Sequence, residues 1–276
     1  MSGDPRYRLD ASNKDVYPVL CAVAELQAGS TVEMFYEPGV EEHNLPYDPF
    51  KVCASKYNLG PAKTIVNQAC VVPRPIGWIS TQSPDGISNL APYSQFNNLS
   101  FDPPYVMFSA NQTAHESRKD TVINIEATGT FVWNLATWAT RKAVNISAEQ
   151  VPYGVDEFMR AGLTKEKASL VAPFMVKESP IKFECKYHST IRLPGNPPMG
   201  TVDVIIGKVI GIHIADEVLT DGKIDVRKTE PIARCGYYEY AVIRDTFQMV
   251  IPGPSELVLY GLEGSSAKNK AQNKVS

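Results

Sequence analysis

No stretch of about 18 consecutive apolar residues occurs in the chain, which excludes a transmembrane helix. The N-terminal residues MSGDPRYRLD are polar and lack the apolar core of a secretory signal. Five cysteines (Cys21, Cys53, Cys70, Cys185, Cys235) are odd in number, widely scattered and never spaced C-x-x-C. That pattern is neither a disulfide framework nor a zinc site. A surplus of one charge is also lacking: 27 Lys and Arg face 30 Asp and Glu, for a net charge of −3. Non-specific nucleic-acid binding usually requires a basic excess, so no nucleic-acid partner is expected. The G-x-G-x-x-G dinucleotide fingerprint, the P-loop, the G-x-S-x-G elbow and the H-E-x-x-H helix are all absent. Four dispersed histidines (His43, His115, His188, His213) suggest no metal centre. These absences leave the expectation of a soluble, cytoplasmic protein with no membrane partner and no metal.

What is present is 276 residues, 43% of them hydrophobic, enough for one large domain or two small ones. Proline is plentiful at 21 residues, which favours a loop-rich antiparallel architecture over long helices. Residues 1–60 are irregular and read either as an arm laid over a neighbour or as a partly disordered leader. Residues 254–276 read as a polar, partly disordered tail. The domain itself is expected over residues 61–253.

Strand signals dominate that domain. Residues 64–72, 76–81, 105–110, 131–136 and 236–243 are β-rich, and Ser83-Pro-Asp-Gly86 has the composition of a turn. From Ile181 to Leu193 apolar residues hold the odd positions and polar ones the even, predicting one buried and one wet face with His188 on the wet one. In residues 201–214 the even positions are mostly branched aliphatics, while the odd face carries Gly207, Gly211 and His213. Such a side-chain-poor face predicts a surface that something flat can approach. Helices are expected over residues 117–128, with a capping-box-like Ser117-x-x-Asp120 start and a stop at Gly129. Further helical signals lie at 139–149, 156–160 and 164–171.

The segment from Ser80 to Thr121 is rich in small hydroxyl and amide residues, which let backbone approach a ligand and offer uncharged donors and acceptors. It runs into Ser117-Arg-Lys-Asp-Thr121 at the expected helix start. Free amides and the positive dipole end favour an anion there, and Arg118, Lys119 and Thr121 would complete a phosphate cradle. The alternative is a capped helix carrying solvated basic residues. Trp78, Tyr93 and Tyr105 either line a pocket or pack in the core.

The motifs Arg74-Pro-Ile-Gly-Trp-Ile-Ser-Thr81, Asp85-Gly86, Asn89-Leu-Ala-Pro-Tyr-Ser94, Asp102-Pro-Pro104, Lys119-Asp-Thr121 and Thr128-Gly129 follow one another in order. Val144-Asn-Ile-Ser147, Glu178-Ser-Pro180, Glu184-Cys185, the strand ending in His213, and Arg234-Cys-Gly236 continue the series. In this order and spacing the chain resembles the flavin reductase-like, FMN-binding split-barrel family over roughly residues 64–250. The resemblance implies a mainly β fold with short helices, a six-stranded antiparallel Greek-key split barrel, homodimeric, with FMN at or near the dimer interface. It places Ser80, Thr81, Asn89, Leu90 and Ala91 along the flavin ring and ribityl chain. It assigns ribityl and phosphate oxygens to Ser94, Ser109, Arg118, Lys119 and Thr121, and it sets His213 as the catalytic histidine facing flavin or nicotinamide.

Such a protein needs no nucleophile of its own, because the cofactor carries the chemistry while the protein binds and orients it. The first reading is an NAD(P)H-dependent flavin reductase, with NADH or NADPH passing hydride to flavin N5 and an oxygenase as possible recipient of the reduced flavin. A second is a stand-alone FMN-dependent oxidase, oxygenase or reductase acting on its own small molecule. The third is a non-enzymatic flavin-binding electron carrier.

Overall fold

Alternation of apolar and polar residues drives the chain into extended segments whose two faces separate core from solvent. The computed structural model describes residues 71–112, 118–195, 200–236 and 238–249. Its strands in chain order are β1 (Arg74–Pro75), β2 (Gly77–Gln82), β3 (Ser88–Tyr93), β4 (Phe96–Phe101), β5 (Pro104–Asn111), β6 (Thr130–Asn134), β7 (Lys165–Glu166), β8 (Met175–Val176), β9 (Ile181–Leu193), β10 (Val202–Ile214), β11 (Leu219–Thr220), β12 (Lys223–Ile224), β13 (Ile232–Arg234) and β14 (Tyr240–Val242). The helices are short: α1 (Asp120–Thr128), α2 (Arg141–Ile146), α3 (Glu157–Arg160) and α4 (Val226–Thr229). The fold is mainly β, as expected.

Seven strands form one antiparallel sheet in the order β3-β2-β6-β9-β10-β5-β4. Strands β3 and β4 stand at opposite ends of that order, yet only Ser94 and Gln95 separate them in sequence. The Ser109 amide donates to the Gln95 carbonyl at 2.9 Å, which carries the β4–β5 ladder up to the bend. Tyr93 of β3 meets Phe108 of β5 with ring centroids 4.8 Å apart, so the sheet curls until its two ends meet. The sheet counts seven strands, of which β3 and β4 are parted only by the bend at Ser94–Gln95.

Ile79, Phe108, Phe131, Cys185 and Ile205 fill the barrel, each fully buried. A second core lies outside it, where Trp78, Leu90, Val144, Phe158, Val176 and Ile232 pack together. Strand β2 is therefore covered on both faces. Each such aliphatic or aromatic side chain contributes roughly 1.5–3 kcal/mol by leaving water. The turn before β3 forms as expected, with Gly86 at φ 84° and its amide donating to the Ser83 carbonyl at 2.9 Å.

Five expectations are corrected. Helix α1 starts at Asp120 with Lys119 as N-cap, three residues later than expected, and it does end at Gly129 in the left-handed region. Residues 164–171 form no helix; they hold β7 and a loop whose amides are taken up by the Glu184 carboxylate. Consequently the even face of β9 is not wholly wet: Lys182 and Glu184 are buried beneath that loop, while His188 is exposed. In β10 it is the odd face, with Asp203, Ile205, Gly207 and Val209, that points into the barrel. Gly207 serves packing rather than ligand approach, since a Cβ there would lie 2.3 Å from Phe131 Cζ. The expected strand at 236–243 shrinks to Tyr240–Val242. The N-terminal 60 residues, the 64–70 strand signal and the 254–276 tail lie outside the described residues.

Candidate functional site

Helix α1 leaves the barrel wall immediately after Lys119, whose extended backbone (φ −66°, ψ 142°) turns the chain into the first helical turn. The Val122 and Ile123 amides close on the Lys119 carbonyl at 2.9 and 3.1 Å. A cavity of about 130 Å³ opens beside this turn. Its lining joins Asn89, Ala91 and Tyr93 of β3 to Lys119, Asp120 and Thr121, and is completed by residues 147–151 and Glu157.

A polar network fixes the cavity floor. Asn89 Nδ2 donates to Thr81 Oγ1 at 3.1 Å and to Thr121 Oγ1 at 2.9 Å, and Asn124 Nδ2 also donates to Thr81 Oγ1 at 3.1 Å. These four side chains are buried, so β2, β3 and α1 are locked together at this point. The Tyr93 hydroxyl hydrogen-bonds Thr121, and burial pushes its phenol well above the ordinary range. Glu157 Oε2 accepts the Leu90 amide at 3.0 Å, which anchors α3 to β3.

Burial dominates the electrostatics of this cavity. It lowers Lys119, against the opposing pull of Asp120, and it raises Asp120, against Lys119. Burial likewise raises Glu157; the Leu90 amide opposes this and the nearby Asp120 and Asp156 carboxylates add to it. Among the described residues Lys119 is the only cation on the lining, against the carboxyls of Asp120, Glu149 and Glu157.

Of the residues expected at the site, Asn89, Ala91, Lys119 and Thr121 come together around this cavity. Thr81 is buried beneath it, whereas Ser80 is buried on the second-core face of β2, its hydroxyl donating to the Phe174 carbonyl at 2.6 Å. The Leu90 side chain belongs to the second core. Ser94 stands at the barrel bend and Ser109 on β5 opposite Val204, neither on the cavity lining. Arg118 is engaged by Glu126 at 2.7 Å and by Asp203 at 3.2 Å, and Asp203 is further paired with Arg192 at 2.7 Å. His213 lies elsewhere, on β10, where its Nε2 meets Glu184 Oε1 at 2.6 Å. Trp78 packs in the second core, Tyr93 lines the cavity, and Tyr105 stands edge-on to His188.

Sequence reasoning missed the acidic side of the cavity. Asp120 was visible only as a helix-capping residue. Glu157 carries no motif, and the bond to Leu90 that places it spans 67 residues. Among the described residues no cluster of His, Cys, Asp and Glu could hold a metal ion, and no helix is long and apolar enough to cross a membrane.

Residues 69–230, the stretch that builds the barrel, α1 and the cavity, match the flavin reductase like domain. The chain belongs to that family. A protein from Aquifex aeolicus (strain VF5) is 38% identical over 171 residues, which span 61% of this chain and 84% of the relative. Among solved structures, nitrilotriacetate monooxygenase component B from Bacillus cereus superposes with a TM-score of 0.67 at 27% identity, covering 80% of this chain and all (100%) of that one. The split barrel domain of a Shewanella frigidimarina NCIMB 400 protein gives a TM-score of 0.60 at 22% identity, covering 70% and 93%. That likeness concerns the fold, which is the split barrel of the flavin reductase like family.

Proposed function

We propose that this protein is an FMN-binding oxidoreductase of the flavin reductase type, taking electrons from NADH or NADPH. The observation that carries the reading is the cavity at the start of α1, where a lysine, a threonine hydroxyl and the positive end of a nine-residue helix converge. Those groups fit a phosphate monoester. The cavity is smaller than the several hundred Å³ typical of whole-ligand pockets, which suits the polar end of FMN. When bound, FMN supplies the two-electron redox chemistry. Lys119 and Thr121 would hold its phosphate, and Asn89 and Ala91 would flank the ribityl chain. Burial raises both Asp120 and Glu157, so each takes up a proton more readily than a solvent-exposed carboxyl when an anion arrives.

A homodimer is part of the proposal. On the outer face of β9 and β10, Ile191 pairs with Val204 and Leu193 with Val202; Ile191 is 51% and Leu193 46% exposed. This aliphatic face borders Ser109, so a second copy seated there would cover apolar surface beside the expected ligand groups. Component B of nitrilotriacetate monooxygenase is by name part of an oxygenase, and an oxygenase is accordingly proposed as recipient of the reduced flavin.

The test is direct. The purified protein is expected to bind FMN, with a yellow flavin absorbance, and to oxidise NADH or NADPH in an FMN-dependent manner. A colourless protein without flavin-dependent turnover overturns the proposal. A yellow protein indifferent to both nicotinamides would instead support a self-contained oxidase or an electron carrier.

A further inference from the structure

Glu184, on β9, is completely buried and plays no part in the cavity at α1. Its carboxylate nevertheless has four donors. Oε1 accepts the Ser169 amide at 3.0 Å and His213 Nε2 at 2.6 Å; Oε2 accepts the Leu170 amide at 2.6 Å and the Val171 amide at 3.0 Å. Three successive amides converging on one carboxylate fix the backbone of the 169–171 loop, and the same group fixes the histidine ring. Gly211 allows the close packing, because a Cβ there would stand 3.2 Å from Leu170 Cδ1 and 3.5 Å from Glu184 Cβ. The neighbouring Lys182, opposite His213 in register, is neutralised separately by Glu166 at 2.7 Å.

We infer that Glu184 is a positioning residue that sets both the tautomer and the orientation of His213 and couples the ring to the 169–171 loop. An ionised carboxylate only accepts hydrogen bonds, so His213 Nε2 must carry a hydrogen. The other ring nitrogen, Nδ1, has no hydrogen-bond partner among the described residues. His213 thereby presents Nδ1, a lone-pair acceptor in the neutral ring and a donor in the charged one, from a side chain that is 31% exposed. The functional use of that nitrogen rests on the proposed flavin reductase reading, in which His213 faces flavin or nicotinamide. The geometric assignment does not.

Glu184→Gln tests the assignment. A glutamine at this position has one acceptor oxygen and one donor NH2. Leu170 and Val171 both donate to the Oε2 position, so the amide oxygen settles there and the NH2 takes the Oε1 position. That NH2 donates to His213 Nε2, which drives the neutral ring to its Nδ1–H form, and it cannot accept the Ser169 amide. The experiment records imidazole nitrogen shifts at about pH 9, above the ordinary histidine range, and backbone hydrogen exchange on the full chain. The parent protein is expected to show His213 as the Nε2–H tautomer. The variant is expected to switch to Nδ1–H, with exchange at Ser169 at least about tenfold faster and Leu170 and Val171 still protected. An unchanged tautomer with unchanged Ser169 exchange overturns the inference.

If the glutamine variant does not fold, His213→Gln decides the matter. Glu184 then keeps its three amides, and exchange at residues 169–171 is expected to stay within about twofold of the parent. Loss of protection across the loop would make the histidine its anchor and overturn the assignment. Absence of flavin or nicotinamide turnover removes the functional reading alone, because the tautomer and exchange measurements need neither ligand.

Discussion

Glu157 on α3 and Glu184 on β9 are both buried carboxyls, and burial acts on both in the same direction, yet their ionisation moves in opposite directions. Glu157 is raised; among the described residues the Leu90 amide is its one partner from outside α3, and two further carboxyls, Asp120 and Asp156, stand nearby. Glu184 is lowered, because His213 and three loop amides outweigh a desolvation cost that on its own would raise it. The number and geometry of donors decides which effect wins. The contrast separates two kinds of site. Around Glu157 the protein leaves an open cavity with unspent polar capacity, suited to a ligand; around Glu184 every oxygen is occupied, suited to holding protein in place.

The largest expected effect lies on the ligand side of this contrast. Among the described residues Lys119 is the only cation on the cavity lining, so Lys119→Ala removes a direct charge-assisted partner for a phosphate there. Charge-assisted hydrogen bonds contribute about 1.5–3 kcal/mol, and FMN affinity measured by fluorescence quenching should fall by about 10–100-fold. Thermal stability should change little, because the Lys119 ammonium makes no ion pair among the described residues. Affinity equal to that of the parent would show that the cavity does not hold the phosphate, and the difference between the two glutamate sites would lose its functional meaning.

Next in size is the stability effect at the occupied site. Glu184→Gln gives up the Ser169 bond and the charge that balances its four donors, with an expected loss of about 1–3 kcal/mol. The sign of its pH dependence follows from the lowered ionisation. Such a carboxylate contributes stability that is present above its unfolded value, near 4.3, and is lost as pH falls through the folded value. Urea unfolding between pH 7 and pH 3 should therefore show the parent and the variant converging toward acid. A constant gap across that range would mean that the charge on Glu184 contributes nothing.

The difference between the two sites also marks how far the sequence could be read. The mainly β fold, the turn at Ser83–Gly86 and the stop of α1 at Gly129 were legible because alternation and turn chemistry are local properties. That Lys119 and Thr121 stand together at a helix start was legible because such a start carries its own signal; their holding an anion belongs to the proposal. Ser80 and Thr81 were not separable from the cavity lining, since a buried hydroxyl and a ligand-facing one look alike in sequence. The inward turn of Gly207 was hidden for another reason. β10 carries aliphatic residues on both faces, Ile205 and Val209 inward and Val204 and Ile206 on the other side, so composition could not tell which face the barrel takes. The Glu184 clamp joins residues 13 to 29 positions apart, beyond any local pattern.

The smallest effect is expected at Glu157, and its sign is the sharpest test of the comparison. Glu157→Gln keeps an oxygen that can accept the Leu90 amide while removing a charge that the folded protein tolerates poorly. A carboxyl whose folded value is raised binds its proton more readily when folded. Below the unfolded value near 4.3 both states are protonated, and the glutamine variant gains nothing there. As pH rises through the folded value the parent loses stability relative to the variant. The variant should thus be more stable at pH 7 than its parent, by on the order of 1 kcal/mol, the scale of one buried hydrogen-bonded group. The advantage should vanish at pH 4, opposite to the trend at Glu184. With one carboxylate fewer facing the cavity, FMN should also bind a few-fold more tightly at neutral pH. A variant less stable than the parent at pH 7 would mean that the Glu157 carboxylate is held in place by donors, as Glu184 is, and the two sites would then differ in degree rather than in kind.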